Sequence, residues 1–95
     1  MRAILKKVGQ SPKVIEIDNT LEALQDAVGG YTQAVYLDEN IVIICDEEGK
    51  LKGKEYNFAL PKDFIVGDVL FVCSSEEDFT GIDEGAEKLI MSLFE

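Results

Sequence analysis

An α+β fold follows from three features of the sequence. Two runs, Ile41–Cys45 and Val69–Cys73, are apolar at every position, whereas a strand with one wet face would alternate, so each reads as a central strand covered on both faces. Two other segments repeat apolar residues at helical spacing: Leu21, Leu24 and Val28, then Ile82, Ala86, Leu89, Ile90 and Leu93. The third feature is a set of short apolar runs bounded by turn residues. Together these predict one mixed, mostly antiparallel sheet of about five strands, with a central helix at about 20–28 and a C-terminal helix at about 82–94. The 95 residues form a single domain, 1–95, able to bury ~60–65% of the surface its unfolded chain exposes.

Taken in order, Arg2–Val8 holds Ala3, Ile4 and Leu5 between basic flanks and reads as a first strand. Gly9-Gln10-Ser11-Pro12 turns the chain into a hairpin partner at Val14–Ile17. Asn19 with Glu22 three residues on fits a capping box, which satisfies N–H groups left unpaired in a helix's first turn. Gly29 and Gly30 close that helix. Tyr31–Leu37 alternates by strand period, Asp38-Glu39-Asn40 is a turn, and Asp46-Glu47-Glu48-Gly49 ends the next strand. Lys50–Pro61 keeps no clean period and predicts a loop or a short helical turn. Asp63–Gly67 leads into the last strand, Ser74–Phe79 is an acidic loop, and Thr80 with Asp83 offers a second cap.

Charge is distributed in blocks: residues 1–17 and 50–62 each carry a net +3, and residues 18–49 and 63–95 each carry −8, for a total of −10. Such a chain is not expected to bind duplex nucleic acid, because phosphate binding requires a net basic footprint. No apolar span is long enough for a membrane, and the basic start Met1–Lys7 runs into Val8-Gly9-Gln10-Ser11-Pro12 without a signal-peptide core, so a cytoplasmic location is expected. Cys45 and Cys73 sit inside apolar strands with no CxxC and no histidine in the chain, which predicts buried thiols and neither metal nor cofactor.

Three classes of function remain to be weighed. Without histidine there is no triad and no imidazole base, and Asp46-Glu47-Glu48 does not have the ligand spacing of a calcium loop. The expectation is a protein without enzymatic activity. A small-molecule or nucleotide-binding module is the alternative: Tyr31, Lys50, Lys52, Lys54, Tyr56 and Asn57 would form an anion edge in which aromatic faces stack on a base and ammonium groups meet phosphate. The bland reading of the alternating lysines is an exposed strand edge guarded against aggregation. The leading reading is protein–protein contact, in which Asp38, Glu39, Asp46, Glu47, Glu48, Glu76, Glu77 and Asp78 steer a partner with a basic surface. An open sheet also has two edges, which leaves a homodimer open.

The residues also carry a likeness. Glu16-Ile17-Asp18-Asn19-Thr20-Leu21-Glu22-Ala23-Leu24, Val28-Gly29-Gly30-Tyr31, Cys45-Asp46-Glu47-Glu48-Gly49-Lys50-Leu51, Asn57, Ala59 and Ile65-Val66-Gly67 together resemble the domain-of-unknown-function 3846 family. The likeness spans roughly Met1–Val72. It implies a small protein of phages, mobile elements and Gram-positive gut bacteria, without an established activity. The family often has Asn-Arg-Ala where this chain reads Asn57-Phe58-Ala59. An anion site that depends on that arginine is therefore not implied here.

Overall fold

The computed structural model describes residues 1–94. In chain order the elements are β1 (Arg2–Lys6), β2 (Lys13–Glu16), α1 (Leu21–Val28), β3 (Thr32–Tyr36), β4 (Ile41–Asp46), β5 (Tyr56–Leu60), β6 (Asp63–Val66), β7 (Val69–Ser74), β8 (Phe79–Thr80) and α2 (Glu84–Leu93). The fold is α+β. The main sheet has the order β2-β1-β7-β4-β3, with β8 paired to the end of β7, and β5-β6 form a second, two-stranded sheet. Every described pairing is antiparallel, so the parallel component of a mixed sheet is not among them.

The two wholly apolar strands lie side by side at the centre, with Ile41 opposite Cys73 and Ile43 opposite Phe71. All six residues of β4 are buried, as are the first five of β7. On one face Ala3, Val42, Ile44, Leu70 and Val72 pack under Leu24 and Val28 of α1. On the other Ile4, Ile43, Val69 and Phe71 pack under Ile82, Ala86 and Ile90 and under Ile65 of the small sheet. Full burial of a side chain such as Phe71 or Ile43 stabilises by ~1.5–3 kcal/mol relative to exposure. Phe58 stacks on Phe71 at 5.8 Å between centroids and meets Phe94 edge-on at 4.9 Å, closing this layer where the small sheet and the end of α2 converge.

Four local expectations are corrected. Thr20, not Asn19, caps α1: its backbone is extended and its hydroxyl accepts from the Ala23 N–H at 3.2 Å. Asp83 caps α2 by accepting from the Ala86 N–H at 2.8 Å, so that helix begins at Glu84, and Ile82 remains extended, donating its N–H to the Arg2 carbonyl at 2.7 Å. Leu89 and Leu93 are exposed and lie outside the core. Residues 56–66 form a hairpin, not a loop, turning through Pro61-Lys62 with Leu60 opposite Asp63. A register shift between Tyr56 and Phe58 explains why no clean period was visible, because a bulge breaks the alternation of side chains.

Candidate functional site

The antiparallel pairing of β4 with β7 fixes where the carboxylates gather. The β3–β4 turn and the β7–β8 loop leave the sheet at the same end, where the Ser74 N–H donates to the Asn40 carbonyl at 2.9 Å. Asp38, Glu39, Glu76, Glu77 and Asp78 are all exposed there. Both loops are built by their own acidic residues. Asp38 Oδ1 accepts from the N–H groups of Asn40 and Ile41 at 2.8 and 2.9 Å, and these bonds hold its carboxyl below the usual carboxylate range. Asp78 Oδ1 accepts from the Phe79 N–H at 2.7 Å, while its carbonyl accepts from the Ser75 N–H at 2.9 Å. Among the described residues none of these five carboxylates has a lysine or arginine within ion-pair distance. Tyr36 and Ser74 to Phe79 line a depression of about 270 Å³ beside them.

The Asp46-Glu47-Glu48 turn lies at the opposite end of β4, so the eight acidic residues do not form one surface. Asp46 is not on the surface at all. Its side chain is 2% exposed and accepts from Lys52 Nζ and Lys54 Nζ, each at 2.8 Å, and from the Glu48 N–H at 2.9 Å. Burial alone would raise its carboxyl, but the two ammonium groups and the amide prevail and hold it down at about 2. Lys52 is raised by the same contact. Lys54 also donates to the Val28 carbonyl at 2.7 Å and Lys52 to the Gly29 carbonyl at 3.3 Å, so both ammonium groups satisfy carbonyls at the end of α1.

The anion edge is divided in the same way. Its lysines lie in the turns after β4, not at alternate positions of an edge strand. Lys50 pairs with Asp63 at 2.5 Å and lies 4.2 Å from the Phe64 ring centroid. Asn57 Nδ2 donates to the carbonyls of Lys6 and Gly67 at 3.0 and 2.8 Å, and its Oδ1 accepts from Lys6 Nζ at 2.8 Å. Its side-chain amide thus joins the small sheet to β1. Tyr56 stands beside Phe64, 6.4 Å between centroids. Of the six, Tyr31 and Lys52 border one depression, of about 430 Å³, with Gln25, Asp26, Gly29, Gly30 and Glu48.

Two residues at the acidic end escaped sequence reasoning. In the sequence Tyr36 is one step of an alternating strand, and Asn19 is the expected cap. Its Nδ2 instead donates to the Phe79 carbonyl at 2.9 Å, tying the start of α1 to the acidic loop. Cys45 and Cys73 are free and buried, each raised chiefly by burial. No described helix is long and apolar enough to cross a membrane.

The profile of one protein family, described as a domain of unknown function (DUF3846), matches residues 1–95. The chain belongs to the DUF3846 family. The match extends past Val72 through β8 and α2, so the loop bearing Glu76, Glu77 and Asp78 falls inside the DUF3846 domain. No curated protein and no solved structure matches the chain.

Proposed function

We propose that this DUF3846 protein is a non-enzymatic cytoplasmic binding protein of phage or mobile-element type that acts by protein–protein contact. Its contact surface is the end of the sheet bearing Asp38, Glu39, Glu76, Glu77 and Asp78, and its partner presents a basic surface. The observation that carries this reading is the joining of two acidic loops by the Ser74–Asn40 hydrogen bond, with no cation among the described residues to neutralise them. Unpaired carboxylates held close together repel one another, and a cationic partner relieves that repulsion while gaining speed of encounter. A nucleotide at the Tyr31 depression is the weaker reading, since Lys52 and Lys54 already share Asp46.

The test is affinity capture from a lysate of the source organism at low salt, with wild type beside two charge reversals. Wild type and E47K/E48K are expected to retain the same cationic protein, and E39K/E76K/E77K to lose it. Capture of nothing, or capture indifferent to E39K/E76K/E77K, defeats the proposal.

A further inference from the structure

The acidic surface is continued by a strand edge with unused hydrogen-bonding groups. β3 has no charged residue, no proline and no register shift against β4, whereas β2, at the other edge, carries Lys13 and Glu16, charges of the kind that discourage strand addition. The Leu37 N–H donates to the Ile41 carbonyl at 2.9 Å and the Glu47 N–H to the Tyr31 carbonyl at 2.7 Å. Antiparallel partners alternate between bonded and non-bonded pairs, so Gln33 and Val35 also turn their N–H and C=O groups toward β4. Those of Thr32, Ala34 and Tyr36 point away from the sheet.

A recess for a side chain lies beside this edge. Gln33 and Val35 line a depression of about 160 Å³ with Leu51, Phe64 and Ile65. Leu51 is 88% exposed and Phe64 45%, so the outer wall of the recess is apolar. Alternate side chains of a strand added beyond β3 would fall on this face.

Charge decides what kind of strand fits. Residues 18–49, which contain β3, hold eight carboxylates and no cation. β3 runs directly into Asp38 and Glu39, and at its other end Tyr31 shares a depression with Asp26 and Glu48. The lysines nearby are engaged, Lys50 by Asp63 and Lys52 by Asp46. A second copy of this chain would set carboxylates against carboxylates at either end of the edge. A segment with lysine or arginine at one end meets Asp38 and Glu39 with the opposite charge.

We infer that β3 receives an extended basic segment of the partner, added antiparallel. Its main chain bonds to the outward groups of Thr32, Ala34 and Tyr36. Its cationic residues, at the amino-terminal end, face Asp38 and Glu39, and one apolar side chain enters the recess at Leu51 and Phe64. In strand addition the main-chain bonds supply affinity while pockets and charges select the sequence. The inference rests on the contact surface proposed above, which it extends along β3 through Tyr36, a residue lining the depression of the acidic loop.

The probe is the synthetic peptide acetyl-Lys-Arg-Thr-Leu-Thr-Leu-Thr-amide, titrated calorimetrically at low salt and followed by amide hydrogen exchange. Saturable binding is expected, with slower exchange at Thr32, Ala34 and Tyr36, and no binding of the peptide that has Glu-Glu in place of Lys-Arg. Ala34→Pro deletes an outward N–H while sparing the ladder to β4, a position at which edge strands accept proline. It is expected to weaken binding about tenfold with an unchanged circular dichroism spectrum. Leu51→Ser, at an exposed position, is expected to weaken it about threefold. Absence of binding, or binding that protects none of the three outward amides, overturns the inference. Binding that E39K/E76K/E77K abolishes but Ala34→Pro and Leu51→Ser leave unchanged also overturns it, while leaving the acidic contact surface in place.

Discussion

Asp46 is the residue on which one end of the molecule depends. It is buried, it accepts three hydrogen bonds, and its two lysines reach onward to the last carbonyls of α1. Gly30 makes the contact possible, because a Cβ there would lie 2.6 Å from Asp46 Oδ1. Asp46→Ala strands two ammonium groups and an amide, and is expected to cost ~2–3 kcal/mol in urea unfolding at neutral pH. The pH dependence has a defined sign. The folded carboxyl sits at about 2 against an ordinary 3.8, so its contribution is complete above pH 3.8 and is lost as pH falls toward 2. Wild type should therefore show a steeper acid limb than Asp46→Ala across that window. None of this was legible in the sequence, where Asp46-Glu47-Glu48 reads as one solvated turn. Burial separates these three neighbours, and it is set by Gly30, Lys52 and Lys54, which close over Asp46 alone.

At the scale of elements, what the chain states locally and what it leaves to tertiary contact can be separated. The position of β4 and β7 in the middle of the sheet was legible, because an unbroken apolar run is tolerable only where both faces are covered. Helix α1 was legible to within a residue, but its cap was not: Asn19 and Thr20 are both good caps, and in the structure Thr20 Oγ1 takes the Ala23 N–H while the Asn19 amide donates to the Phe79 carbonyl. Thr20→Ala is expected to lower stability by ~1 kcal/mol through loss of the helix cap. Asn19→Ala should leave α1 intact and instead speed amide exchange in residues 75–79. Equal and helix-centred effects from the two would return the cap to Asn19. The β5–β6 hairpin was hidden for a different reason. Its bulge falls at Asn57, where a side chain must turn to meet Lys6 and Gly67, so the residue that ties the hairpin to β1 also erases the alternation that would reveal it.

For the whole molecule the antiparallel order of the sheet acts as a charge sorter. Because β4 and β7 run in opposite directions, the turn before one and the loop after the other emerge together, and two acidic segments distant in sequence become neighbours. The Asp46 turn is sent to the far end, where Lys52 and Lys54 meet it. One end is therefore internally compensated and the other is not, a division invisible in a net charge of −10. Like charges gathered without a cation repel one another, which gives the uncompensated end a testable signature. Replacing Glu39, Glu76 and Glu77 together by Gln removes charge without removing size, and should raise Tm by a few degrees in ~20 mM salt. The gain should shrink toward nothing near 1 M salt, where the screening length falls to about 3 Å. Glu47→Gln with Glu48→Gln, beside the paired lysines, should gain much less. Thermal unfolding of both variants at the two salt concentrations decides the matter: if they respond alike, the acidic end is under no special strain, and its carboxylates are spread too far apart to act as a unit on any partner.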